Sequence, residues 1–275
     1  METPGVVPSL KEKLRLGPCF GTFVKLGRPE IVEVLALVGF DFVICDTEHA
    51  QMTELEARQV ILACRAAGLP VVVRVPEPVP GLVNRLLEAG AEGIQMPRLR
   101  SAADLARLRA MSYFPPEGER SVGNANLLAR YGTLPVPSYL EEANRKVLVI
   151  GQFETRQIDD PCDPMFEGLD VAFIGPTDLS VDFGSPGRAE DPAVQERIRL
   201  VEQAAARHGS AMGIATKDLP TTRRYLAAGY RFLAVSGDVA LLVAAAKELV
   251  EELHASRIEV EQKEATHALL AEVRN

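Results

Sequence analysis

Short apolar segments rich in β-branched residues alternate with longer amphipathic segments along most of this chain, and this alternation constrains the fold more than any other feature. Eight segments of the first kind can be counted: Cys19–Lys25, Phe42–Asp46, Val71–Val75, Gly93–Pro97, Val147–Phe153, Val171–Gly175, Ala211–Ala215 and Phe232–Ser236. Strand and helix patterns that alternate in this way predict repeated βα units and a parallel sheet. Several of the segments are almost wholly apolar, as strands covered on both faces must be.

Segments with the helical period lie between these predicted strands. They are Arg28–Leu37, Thr53–Ala66, Val79–Ala89, Ala102–Met111, Pro192–His208, Lys217–Ala228 and Val239–His254. Eight strands and at least seven helices favour a closed (β/α)8 barrel, the TIM barrel, over an open doubly wound α/β sheet. A barrel of this kind gathers its chemistry at the carboxyl ends of the strands.

The chain is expected to form one barrel domain over residues 1–254, followed by a helical tail over residues 255–275. Its 275 residues, 47% apolar and 25% charged, have the composition of an ordinary globular protein. The tail mixes charges with apolar residues, a pattern that fits an extra helix packed on another subunit or a segment frayed in solvent. The interval from Ser112 to Arg145 is longer than a βα connection needs, and such loops are usually functional or disordered.

Charge limits the class of partner. The formal net charge is −8 and no block rich in Lys and Arg occurs, which argues against nucleic acid and an anionic membrane surface, because phosphate binding draws on clustered cations. Neither a long uninterrupted apolar run nor a secretory signal pattern is present. A cytoplasmic protein that acts on a small metabolite is therefore expected.

Two acidic motifs lie at the ends of the fifth and sixth predicted strands, Gln152-Phe153-Glu154-Thr155-Arg156 and Gly175-Pro176-Thr177-Asp178-Leu179-Ser180. Because neighbouring strands of a barrel end at one cavity, Glu154 and Asp178 can offer two carboxylates to one cation. Oxygen ligands completed by water suit Mg²⁺ or Mn²⁺. Gln152 shares the face of Glu154 because side chains alternate along a strand. A helix cap or a solvated loop is the alternative for either carboxylate alone.

Two further strand ends carry ionisable residues. Asp46-Thr47-Glu48-His49 ends the second strand, and the spacing allows the Asp46 carboxylate to orient the His49 imidazole as a general base. Arg74 ends the third strand, where an inward cation needs an anion or an acid as its partner. A satisfied polar role for His49 and a structural salt bridge for Arg74 are the alternatives.

These motifs resemble those of the HpcH/HpaI family of class II pyruvate aldolases, from about Gly21 to Leu249. The residues that carry the resemblance are Asp46-Thr47-Glu48-His49, Arg74, Tyr113-Phe114-Pro115-Pro116-Glu117-Gly118-Glu119-Arg120 and the two acidic motifs. The resemblance implies a (β/α)8 barrel of the phosphoenolpyruvate/pyruvate superfamily type, usually hexameric. It also implies reversible retro-aldol cleavage of a 4-hydroxy-2-oxo acid to pyruvate and an aldehyde.

The resemblance further implies how the carboxylate motifs bind metal and substrate. Glu154 and Asp178 would bind Mg²⁺, Mn²⁺ or Co²⁺, with Gln152 beside the ion. Pyruvate would chelate that ion, and backbone N–H groups around Thr177 and Asp178 would hold its carboxylate.

For the other residues the resemblance implies acid–base and electrostatic roles. Arg74 would bind the keto oxygen as it gains enolate charge, and His49, held by Asp46, would take the proton of the 4-hydroxyl group. An aspartate that supports the base, often across a subunit interface, is replaced here by Glu88, and Phe23 stands where some relatives have tryptophan. Both departures bear on the choice of aldehyde.

Three rival functions fit the same barrel. A Schiff-base aldolase would use Lys25 or Lys217, which lie near strand ends, as its amine nucleophile. A carbon–carbon lyase for CoA esters, of the malyl-CoA or citrate lyase β type, would need a surface for the adenine nucleotide, and no basic or glycine-rich segment supplies one. A catalytically silent metabolite-binding barrel would bind metal and pyruvate without turnover.

Overall fold

Eight parallel strands form a closed barrel in this computed structural model, which describes residues 8–272 and the side chains as far as residue 263. The strands are β1 Cys19–Val24, β2 Phe42–Asp46, β3 Val71–Arg74, β4 Gly93–Met96, β5 Leu148–Phe153, β6 Val171–Ile174, β7 Ala211–Thr216 and β8 Phe232–Gly237. They pair in the order β1 to β8, and β8 pairs with β1. The predicted (β/α)8 barrel is confirmed, and the open doubly wound sheet is excluded.

Ten α-helices are described within residues 8–272. They are α1 Leu10–Leu16, α2 Pro29–Leu37, α3 Glu54–Ala67, α4 Pro80–Ala89, α5 Ala102–Ser112, α6 Val136–Lys146, α7 Pro176–Asp182, α8 Pro192–His208, α9 Leu219–Ala227 and α10 Asp238–Glu272. Short 3₁₀ helices cover Arg130–Gly132 and Asp163–Phe166. No helix within residues 8–272 is long and apolar enough to cross a membrane.

The long interval after α5 is more regular than a loop. It contains α6, which begins after Pro135 and buries only Tyr139 and Ala143. The Tyr139 ring packs edge-to-face against Phe114, with ring centroids 5.4 Å apart. The prolines and glycines of this interval mask the helix in the sequence, because two buried residues give little periodic signal.

Apolar side chains fill the lower part of the barrel interior. Phe232 lies between Phe42 and Phe173, with ring centroids 4.2 and 5.9 Å apart. Gly21 of β1 is required here, since a Cβ atom at that position would lie 2.4 Å from the Phe42 ring. A separate apolar layer joins the outward faces of the strands to the helices. The packed interior forms a floor beneath the carboxyl ends of the strands.

A polar row lies above that floor. In the strand register Asp46 of β2 is the partner of Arg74 of β3, which is the partner of Gln95 of β4. Gln152 follows on β5, so four adjacent strands each contribute a polar side chain that is at most 5% exposed. These side chains line the bottom of the mouth. The mouth is the name used below for the cavity at the carboxyl end of the barrel.

The final helix, α10, is continuous over 35 residues and includes most of the predicted tail. Its first residue, Asp238, accepts backbone hydrogen bonds of 2.9 Å from Lys25 and Leu26, which ties the helix to the end of β1. Many of its apolar side chains are exposed, namely Val239, Leu241, Leu242, Val243, Leu249, Val250, Leu253, Ile258 and Val260. Residues 273–275 of the predicted tail lie outside the described residues.

Candidate active site

Asp46 and Arg74 form a buried, bidentate ion pair in the mouth. Arg74 Nε and Nη2 donate to Asp46 Oδ1 and Oδ2 at 3.0 and 2.7 Å, and Arg74 Nε lies 3.3 Å from Glu48 Oε2. Burial acts to raise the pKa of the Asp46 carboxyl, but the hydrogen bonds and charge of Arg74 outweigh it and hold that pKa below its usual value. The guanidinium is therefore fixed in orientation before any ligand arrives.

Contrary to the prediction from the sequence, the turn after β2 does not place the Asp46 carboxylate against the His49 imidazole. Asp46 Oδ1 accepts the backbone N–H groups of Glu48 and His49 at 3.1 and 3.2 Å, so this carboxylate shapes the turn and does not contact the imidazole. Asp46 ends the strand with its side chain inward, where Arg74 engages it. The His49 side chain is 52% exposed, and its Nε2 lies 3.7 Å from Glu48 Oε2. Glu48 is thus the carboxylate nearest the ring.

Glu154 is a buried carboxylate at the end of β5. Its Oε1 accepts the Arg98 backbone N–H at 2.9 Å, and its Oε2 accepts Gln152 Nε2. The pKa of Glu154 is raised to about 7, chiefly by burial; the hydrogen bond from Gln152 lowers it, and the charges of Asp178 and Glu48 raise it. A cation at this position would relieve that repulsion.

Asp178 lies in the first turn of α7, on the loop that follows β6, and it is exposed. The charge of Asp178 contributes to the raised pKa of Glu154, so the two carboxylates are close enough to repel each other. Thr177 is also exposed in this turn, and its carbonyl accepts the Ser180 hydroxyl at 2.7 Å. Backbone N–H groups at the start of a helix are free of intrahelical partners, so this turn can bind a carboxylate.

Gly175 gives room to the Glu154 carboxylate and the Gln152 amide. A Cβ atom at this position would lie 2.6 Å from Glu154 Oε2 and 3.2 Å from Gln152 Nε2. The backbone of Gly175, with φ of −100°, is open to other residues, so the close approach alone requires glycine here.

The mouth fits a metal ion that is bound by few protein ligands and keeps several waters. Among the residues that the structure describes, no three His, Cys, Asp or Glu side chains are close enough to enclose an ion by themselves. Glu154 and Asp178 would instead offer two carboxylate ligands. That donor set suits a hard divalent cation that keeps several waters.

Gln95 is a site residue that the motif search missed. It is fully buried, its Nε2 donates to Gln152 Oε1, and its own Oε1 has no hydrogen-bond partner among the described residues. The signal was present in Gly93-Ile94-Gln95-Met96, because an inward polar residue in an apolar strand needs a polar partner.

Lys25 adds a second cation to the mouth. Its Nζ lies 3.5 Å from Asp46 Oδ2 and 6.0 Å from the centre of the Phe23 ring, which also faces the Arg74 guanidinium at 5.0 Å. Lys217 directly follows β7 and is exposed, without an ion pair to the mouth among the described contacts.

The structure does not bring Glu88 to the mouth of its own barrel. Glu88 lies near the end of α4, which finishes just before β4 begins, and so it lies toward the amino ends of the strands. Its Oε1 accepts Asn84 Nδ2 at 3.4 Å, and its charge acts on Arg120.

Comparison with known proteins agrees with this geometry and with the resemblance inferred from the motifs. A family model described as HpcH/HpaI aldolase/citrate lyase matches residues 19–245. The 5-keto-4-deoxy-D-glucarate aldolase of Salmonella paratyphi C (strain RKS4594) is 33% identical over 233 residues, which cover 84% of this chain and 90% of the relative.

Two solved structures are similar over most of their length. The HpcH/HpaI aldolase from Desulfitobacterium hafniense DCB-2 has a TM-score of 0.84 at 32% identity and covers 89% of this chain and 96% of its own. An HpcH/HpaI aldolase/citrate lyase family protein from Burkholderia cenocepacia J2315 has a TM-score of 0.82 at 34% identity, with coverages of 89% and 98%. This chain belongs to the HpcH/HpaI aldolase/citrate lyase family.

Proposed function

We propose that this protein is a divalent-metal-dependent aldolase that cleaves a 4-hydroxy-2-oxo acid reversibly to pyruvate and an aldehyde. The observation that carries the proposal is the meeting, in one mouth, of a pre-oriented Arg74 guanidinium and the buried carboxylate of Glu154. Cleavage of the bond between C3 and C4 leaves negative charge on the pyruvate fragment. A fixed cation and a metal site on the same side are suited to that charge.

Glu154 and Asp178 would hold Mg²⁺, Mn²⁺ or Co²⁺, which as a Lewis acid would stabilise the enolate charge. Gln152 would keep the Glu154 carboxylate in place through its hydrogen bond to Oε2. Backbone N–H groups around Thr177 and Asp178 would bind the pyruvate carboxylate at the start of α7.

Arg74 would bind the keto oxygen. Because Asp46 takes both its Nε and its Nη2, the guanidinium is held in place and loses little conformational entropy when the substrate binds. A donor fixed at the atom where charge develops lowers the barrier more than one that must reorient.

His49 would take the proton from the 4-hydroxyl group as the carbon–carbon bond breaks. The neighbouring Glu48 has a buried Oε2 without a hydrogen-bond partner among the described residues, 3.7 Å from the His49 Nε2 atom. A carboxylate so placed would hold the imidazole in one orientation. We assign to Glu48 the supporting role that the sequence suggested for Asp46.

The substrate class follows from the relatives, whose name supports an acid derived from a sugar acid as the first compound to test. The test is a coupled assay for pyruvate release from 5-keto-4-deoxy-D-glucarate and other 4-hydroxy-2-oxo acids. Activity that is lost with excess EDTA and restored by Mg²⁺ or Mn²⁺ is the expected result. Absence of pyruvate release from the whole panel, with metal present, would contradict the proposal.

A Schiff-base aldolase is the second candidate, because Lys25 places an amine in the mouth. Its Nζ already lies 3.5 Å from the Asp46 carboxylate, and an amine held in an ion pair is not free to attack a carbonyl group. Borohydride treatment in the presence of pyruvate separates the candidates: a covalent adduct on Lys25 would establish the imine, and the metal mechanism predicts none.

We also propose that the protein acts as a homo-oligomer, with a hexamer as the assembly implied by the resemblance. The exposed apolar side chains of α10 would pack against another copy of the chain. Glu88, which lies away from its own mouth, would serve the base and the aldehyde site of a neighbouring subunit.

A further inference from the structure

We infer that Gln95 is a positioning residue that fixes the Gln152 amide and, through it, the carboxylate of Glu154. The inference rests on the metal site proposed above and adds to it a residue of β4 that contacts neither metal nor substrate. Its basis is a chain of side-chain hydrogen bonds across β4 and β5.

The chain has a defined direction. Gln95 Nε2 donates to Gln152 Oε1, Gln152 Nε2 donates to Glu154 Oε2, and Glu154 Oε1 accepts the Arg98 backbone N–H at 2.9 Å. The three side chains are at most 3% exposed, so water does not compete with these bonds. Both carboxylate oxygens are therefore held by protein donors, and the remaining lone pairs are left for a cation.

The hydrogen bond from Gln95 fixes the orientation of the Gln152 amide group. The two ends of an amide have nearly the same shape but opposite hydrogen-bonding character, so only the partners decide which end faces Glu154. A donor at Gln152 Oε1 holds the carbonyl away from the carboxylate. It also polarises the amide, which strengthens the donation from Nε2 to Glu154.

Packing of the barrel interior alone does not explain a glutamine at position 95. The residue leaves its own Oε1 without a partner among the described residues although it is fully buried. Such an unsatisfied acceptor is unfavourable, and an apolar side chain of the same length would avoid it. The polar choice is explained by the bond that Nε2 makes to Gln152.

The position of Gln95 also joins the two halves of the mouth. Its register partner on β3 is Arg74, and its hydrogen-bond partner on β5 is Gln152. Arg98, whose backbone N–H completes the support of Glu154, follows two residues after the end of β4. A single strand and its loop therefore position the carboxylate from both sides.

The test is the Mn²⁺ affinity of full-length protein, measured by electron paramagnetic resonance of the free ion, for wild type, Q95M, Q152M and the double variant. Methionine keeps the length of the side chain and removes the donor. We expect Q95M and Q152M each to raise the Mn²⁺ Kd by roughly tenfold, the lower end of the range for residues that support metal ligands. The double variant should be no worse than Q152M alone, since both changes break one chain.

Steady-state kinetics provide a second measurement, which distinguishes a positioning role of Gln95 from a role in packing alone. Excess Mn²⁺ should restore most of the kcat of Q95M, because only the affinity for the ion is reduced. Q95L serves as the replacement if Q95M does not fold, and I94V, on the outward face of the same strand, is the packing control with wild-type Mn²⁺ affinity.

The outcomes are distinct. Unchanged Mn²⁺ affinity in Q95M, additive effects of the two substitutions, or activity that excess metal does not restore would each overturn the role of Gln95 and leave the metal site intact. A wild-type protein that binds no Mn²⁺ would overturn the proposed function and this inference together.

Discussion

At the scale of single residues, the environment of each ionisable group in the mouth decides what it can do. Asp46 and Arg74 form a buried ion pair. Glu154 is also buried, but the charges near it, those of Asp178 and Glu48, are negative. His49 remains half exposed and close to Glu48. In the proposed mechanism, Arg74 is the fixed hydrogen-bond donor, Glu154 is a metal ligand and His49 is the base.

His49→Ala should lower kcat for aldol cleavage by about 10²- to 10⁴-fold, the usual effect of removing a general base. The Mn²⁺ Kd should stay within about twofold of wild type, because His49 contacts neither proposed ligand. Steady-state kinetics and a metal titration measure the two quantities. His208→Ala is the matched control, since His208 pairs with Asp163 at the end of α8 and should leave both unchanged. A His49→Ala enzyme with wild-type kcat would remove this residue from the mechanism.

The raised pKa of Glu154 predicts a particular pH dependence of stability in the metal-free protein. The folded state holds this proton up to about pH 7, whereas the pKa of an unperturbed glutamate carboxyl group is 4.5. Stability therefore falls as the pH rises from about 4.5 to about 7, by up to about 3 kcal/mol. Thermal unfolding across pH 5–8 should show this fall in wild type and not in Glu154→Gln. Parallel curves for the two proteins would contradict the raised pKa.

Two site residues show how far sequence reasoning reaches at this scale. The motifs located the ends of the strands correctly, and register then placed Asp46 beside Arg74 and Arg74 beside Gln95. Gln152 joins this group through its hydrogen bond from Gln95. The partner of the His49 ring was not predictable, because a turn and not strand periodicity sets its direction. Gln95 could have been found from its inward position, but only a structure reveals its partner.

At the scale of secondary structure, strands were easier to predict than short helices. Each observed strand begins or ends within about one residue of its prediction, since strands covered on both faces are continuous apolar runs. α7 is only seven residues long and begins at Pro176, directly after Gly175, so it carries too little periodicity to stand out. Its start nevertheless forms part of the mouth.

Gly175→Ala tests the junction between β6 and α7. The added methyl group would lie 2.6 Å from Glu154 Oε2, so the carboxylate must move and the Mn²⁺ Kd should rise by roughly tenfold. Calorimetric titration with Mn²⁺ provides the measurement. Gly17→Ala, where a Cβ atom meets nothing within 4 Å, is the control and should bind as wild type does. Equal affinities for both variants would show that the close packing is unimportant.

At the scale of the whole molecule, the barrel brings the site residues together, and α10 carries the apolar face on which the proposed assembly depends. Leu242, Leu249, Leu253 and Val260 recur at spacings of seven, four and seven residues, which places them along one face of the helix. All four are exposed in the single chain. A continuous apolar face of this length is typical of a subunit interface.

The substitutions L249E and L253E together should dissociate the oligomer, because they place two charges on that face. Size-exclusion chromatography with light scattering should show wild type as an oligomer and the double variant as a smaller species. E248K, an exposed change on the same helix, should leave the mass unchanged. A wild-type protein that is monomeric at micromolar concentration would contradict the proposed assembly.

The most direct test of the central claim follows the exchange of the pyruvate methyl protons with D₂O by NMR, because forming the enolate requires no knowledge of the aldehyde. Exchange that depends on Mg²⁺ and stops with excess EDTA is the predicted result. Exchange that survives EDTA would indicate an imine at a lysine such as Lys25, and no exchange under either condition would contradict a pyruvate-enolate site in this mouth.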